Sequence, residues 1–125
     1  MQPGKIIPRE IDRLIAERMM GWTNLSLAGT RFGTTPEGRV HRIVPQYSTD
    51  ISAAWQVVDQ LRLLGYQGGI DWARPEPGYE CAFWSLSISP YEKQSSRAET
   101  APMAICLAAL KVMGVSIELD DPSHG

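Results

Sequence analysis

A chain of 125 residues fits one domain and can bury a core without a metal or a disulfide. With 43% apolar and 21% charged residues it has the composition of a globular protein, not of a disordered one. A net charge of -2 argues against a nucleic-acid surface held by bulk electrostatics, and no apolar run is long enough for a membrane span.

Residues 1–8 read as a short extended leader without the apolar core of a signal peptide. A domain over 9–119 follows, with a loose acidic tail at 120–125. Ile11, Leu14, Ile15 and Met19 recur at helical spacing and predict a first helix over Arg9–Met20, stopped by Gly21. Glu10 and Asp12 in its first turn suit the helix dipole. The segment 22–47 is broken by Gly29, Gly33, Pro36 and Gly38, with short β pieces expected at Leu25–Gly29 and Arg39–Val44.

A second helix is expected up to Leu64, capped by Ser48 or Thr49. Ile51, Ala54, Trp55, Val57, Val58, Leu61 and Leu64 share one wide arc of it, which places Trp55 in the core. Gly69–Ala73 and Tyr79–Ile88 read as a hairpin, with both faces of the longer strand apolar and Trp84 in the core. Ser89–Glu99 is polar and reads as a loop. Thr100 caps a third helix to Met113, and Val115–Leu119 could add a last strand. Lys111 is the one charge of this third helix, so part of its surface is expected to meet a second copy of the chain, making a homo-oligomer.

Three motifs carry a resemblance: Met19-Met20-Gly21-Trp22, Tyr47-Ser48-Thr49-Asp50-Ile51-Ser52-Ala53-Ala54-Trp55, and Ala98-Glu99-Thr100-Ala101-Pro102-Met103-Ala104-Ile105-Cys106. Together the chain resembles the phage ABA sandwich domain family over residues 9–114, with residues 22–44 matching least. The resemblance implies an α+β fold, a three-layer α/β/α sandwich with a small antiparallel sheet and about three helices. It implies a phage or prophage protein in a bacterial cytoplasm, and no reaction.

The residues themselves point to no catalyst. Cys81 and Cys106 are placed for packing, His41 is the one plausible base, and His124 lies in the tail. Two cysteines without CxxC and two histidines make no zinc pattern, so neither metal nor cofactor is expected. What stands out is an anion-binding constellation. Ser48 and Thr49 lie at the start of the second helix, with Tyr47 before them and Arg39, His41 and Arg42 a few residues upstream. Trp72 and Arg74 at the hairpin bend join them as a stacking surface and a cation. Asp50, at the same helix end, opposes an anion there, and capping accounts for Ser48 and Thr49 equally well.

The expectation is a non-enzymatic accessory protein that binds a nucleotide-like anionic small molecule, by analogy with small phage proteins that sequester nucleotide signals. The alternative is a module that docks on a host or phage protein, suggested by the apolar third helix and the surplus of aromatic residues. Neither a membrane nor nucleic acid is an expected partner.

Overall fold

A computed structural model describes residues 7–23, 25, 32–40, 42–72, 78–85 and 93–115, with the side chain of Trp72 left aside. Helix α1 spans Pro8–Arg18, α2 spans Ile51–Leu63 and α3 spans Ala101–Val112. Strands β1 (Phe32–Gly33) and β2 (Arg42–Ile43) pair antiparallel as one small sheet. Strands β3 (Tyr66–Trp72), β4 (Tyr79–Ser85) and β5 (Gln94–Ala98) form a second, in the order β3-β4-β5. The architecture is α+β, with three helices and small antiparallel sheets, and fits the expected sandwich.

Helix α3 is the centre of the fold. Pro102 in its first turn costs no hydrogen bond, and the Thr100 hydroxyl accepts from the Met103 N–H at 3.4 Å. All eight residues from Met103 to Leu110 are buried. They are covered by β4 and β5, by α2 and by α1. The chain therefore buries residues 103–110 of this helix by itself. Its one charge, Lys111, reaches sideways and donates to the Ser95 carbonyl at 2.7 Å.

Four expectations change. First, Gln94–Ala98 is a strand, not a loop, in register with β4 through Tyr79↔Ala98 and Phe83↔Gln94. Its polar side chains hid it, because backbone pairing at a sheet edge needs no apolar alternation. Second, the cap of α2 is Asp50, whose carboxylate accepts from the Ser52 N–H at 2.9 Å, so neither Ser48 nor Thr49 caps the helix. Third, Trp55 is 49% exposed. The buried stripe of α2 is Ala53, Ala54, Val57 and Leu61, a line of small and medium side chains facing α3, and it leaves Ile51, Trp55 and Leu64 outside. Fourth, Trp84 is only half-buried, with the Lys93 ammonium 5.8 Å from its ring centroid. The expected strands at Leu25–Gly29 and Val115–Leu119 fall almost wholly outside the described residues, as do the leader up to residue 6 and the acidic tail.

Candidate functional site

The polar residues between α1 and α2 divide into a closed cluster and an open cleft. The closed cluster starts from Asp12. On the helical wheel Asp12 falls among Ile11, Ile15, Ala16 and Met19, so the packing of α1 carries it inward, to 8% exposure. There its Oδ1 accepts from the Ser48 N–H at 2.8 Å and from the Ser48 hydroxyl at 2.7 Å. Burial raises the Asp12 pKa, and the two Ser48 hydrogen bonds pull the other way. Ser48 itself is fully buried. Beside it Tyr47 is 1% exposed and hydrogen-bonded to Trp22, and burial pushes its phenol up to about 12.

Tyr47 and Ser48 are therefore held by partners inside the protein and offer no surface to a ligand. With Asp50 capping α2, the expected anion site at that helix end is filled by the chain's own groups. Thr49 is exposed and lines a separate cavity of about 290 Å³ with Arg9, Asp12, Arg13 and Gln46. Arg13 there lies 3.6 Å from Glu17, one turn along α1.

The open cleft is built on a tight hairpin loop. The Thr35 N–H donates to the Arg39 carbonyl at 2.9 Å. The Gly38 N–H donates to the Thr35 carbonyl at 2.9 Å, and Pro36 fits the second turn position. Gly38 has φ 92, the left-handed turn that closes such a loop and that a side chain resists. The Thr35 hydroxyl accepts from the Arg39 N–H at 3.0 Å, so the backbone of Arg39 is fixed on both sides. Arg42 follows in β2, opposite Gly33. A side chain at Gly33 would meet the Leu25 side chain, the Thr23 carbonyl and the Trp22 ring, so the site favours glycine. The Trp22 N–H is anchored to the Ala16 carbonyl at 2.9 Å, and Thr23 and Thr34 exchange backbone hydrogen bonds of 3.0 and 2.8 Å. The hairpin is thus tied to the end of α1.

Trp22, Thr35, Glu37, Arg39, Arg42 and Ile43 line the resulting cleft, of about 550 Å³. Arg39 and Arg42 are exposed, and neither enters an ion pair among the described residues. Of the sequence-derived candidates the structure brings these two together and separates them from Thr49. His41 and Arg74 lie outside the described residues, and so does the side chain of Trp72, whose backbone pairs with Tyr79 at the end of β3. Trp22 and Asp12 were missed as functional or structural keys. The wheel position of Asp12 amid apolar residues was the available signal for the second; nothing local placed Trp22 against Arg39 and Arg42.

Among the described residues no cluster of three metal-ligating side chains occurs, and no helix is long and apolar enough to cross a membrane. Both cysteines are buried, and burial raises the pKa of each thiol, that of Cys81 to about 12.

Comparison with known proteins agrees with this architecture. The crystal structure of a phage protein from Bacillus cereus ATCC 14579 is similar, with a TM-score of 0.72 and 28% identity over 94% of this chain and 97% of that one. No curated protein matches the chain. The profile of the phage ABA sandwich domain matches residues 13–110, and the chain belongs to that family.

Proposed function

We propose that this phage-family protein works by binding, without catalysis, and that it captures an anionic small molecule of nucleotide type in the bacterial host cell. One observation carries the reading: two exposed guanidinium groups, free of ion pairs among the described residues, line one cleft of about 550 Å³. The cleft is wide and open to solvent, so a ligand there would be held at its rim, chiefly through the two arginines. Arginine binds phosphate oxygens in pairs through its planar fork. Trp22 and Ile43 supply an apolar wall for a base or sugar, and Glu37 on the same rim is an acceptor for hydroxyl groups. This mixed lining suits a sugar phosphate or nucleotide better than bare phosphate.

The thiols support a non-catalytic reading, since both are buried, burial raises the pKa of each, and neither lines the cleft. The rival reading, a docking module, draws on the apolar third helix and the surplus of aromatic residues; residues 103–110 of that helix are buried within the chain itself, while Trp55 is 49% exposed. The test is a thermal-shift screen with cyclic nucleotides and ADP-ribose-type compounds. A binder at free concentration L stabilises the fold by RT ln(1 + L/Kd), so the melting temperature climbs with the logarithm of its concentration above Kd, and added salt should weaken the effect. Absence of any shift across the screen would remove the nucleotide reading.

A further inference from the structure

We propose that the protein forms a homodimer through the outer edge of β3, with β3 of a second copy added antiparallel to it. The three-stranded sheet ends at β3, and β4 fills only one side of it. In an antiparallel ladder alternate residues turn their N–H and C=O groups away from the partner. Along Tyr66–Trp72 no backbone hydrogen bond from another described segment reaches those groups. The opposite edge is treated differently, since at β5 the Lys111 ammonium already occupies the Ser95 carbonyl. A seven-residue edge without lysine or proline is a template for another strand.

The strand's own sequence argues for a second copy as the occupant. Two identical seven-residue strands pair over their full length only when centred on the middle residue, Gly69. In that register Gln67 faces Asp71 of the partner subunit, and the reverse. Asp71 is the only charged residue of β3, so no like charges meet and each carboxylate faces an amide. Centring the pair on Asp71 would oppose two carboxylates. Beside Gly68 and Gly69, Trp55 and Val58 of α2 line a small apolar groove, with Trp55 49% exposed and Ile51, one turn away, 43% exposed. These side chains flank the seam and would lose water when a second copy docks.

The test is solution mass by light scattering across a concentration series, with circular dichroism to confirm folding. The wild-type protein should be a dimer. Gln67→Asp sets a carboxylate against Asp71 twice per dimer and should raise the dissociation constant about tenfold. Gln67→Lys sets an opposite charge there and should hold the dimer or tighten it. Trp55→Glu should shift the protein to monomer while it stays folded. A wild-type monomer throughout the series, or a dimer equally stable in the Gln67→Asp and Gln67→Lys proteins, would overturn the proposal.

Discussion

Asp12 and Arg42 are both charged side chains near the segment that joins the two small β elements to α2, and the protein treats them in opposite ways. Asp12 is buried, and its carboxylate is held by both donors of Ser48. Arg42 is exposed, and like Arg39 it makes no ion pair among the described residues. A polar group whose partners are all internal holds the fold together. One that is fixed by its backbone and left open to solvent is available for something else. The sequence placed Ser48 and Arg42 in a single anion-binding constellation; the structure assigns the first to the closed cluster and the second to the cleft.

The sharpest way to break this contrast is at the closed side. Tyr47→Ala removes a fully buried ring beside the cluster and should cost about 3–5 kcal/mol, read from denaturant unfolding. Asp12→Ala leaves the Ser48 N–H buried without its acceptor, while the hydroxyl keeps the Pro8 carbonyl at 3.1 Å, and should cost about 1–3 kcal/mol. Thr100→Ala, at the cap of the central helix, should cost about 1 kcal/mol by the same measurement.

The acid also sets a pH dependence whose sign follows from its burial. The folded protein holds the Asp12 proton more tightly than the unfolded chain does, so this group's contribution falls as pH rises above 3.8 through the higher folded value. Asp12→Asn keeps an acceptor for Ser48 and should flatten that part of the stability curve. At the open side the contrast predicts the smallest stability effect. The double variant Arg39→Ala, Arg42→Ala should change stability by less than about 0.5 kcal/mol, because both side chains are exposed and enter no ion pair among the described residues.

How much of this was legible beforehand follows the strength of local signals. Helix α3, its Thr100 cap and its Gly114 stop stood in the sequence, because a buried helix is apolar all round and its ends carry cap chemistry. The hairpin of β3 and β4 was legible for the same reason of composition. Strand β5 was not, since Gln94, Ser95, Ser96 and Arg97 carry no alternation, and their strand state depends on β4. The arc of α2 was drawn too wide because hydrophobicity alone ranks Trp55 above Ala53. The packed interface with α3 admits the small residue and leaves the large one outside. At the cleft, Arg39 and Arg42 were named from their type, but their union with Trp22 depends on a hairpin that folds back on the end of α1.

The central claim is that the Arg39–Arg42 cleft captures a nucleotide-type anion, and isothermal titration of the wild-type and Arg39→Ala, Arg42→Ala proteins tests it most directly. The ligands are ADP-ribose and a cyclic dinucleotide, each at low and at raised salt. At least one ligand should bind the wild type, more weakly at raised salt, and should not bind the folded double variant. Equal affinity in the two proteins, or no binding to either, would contradict it.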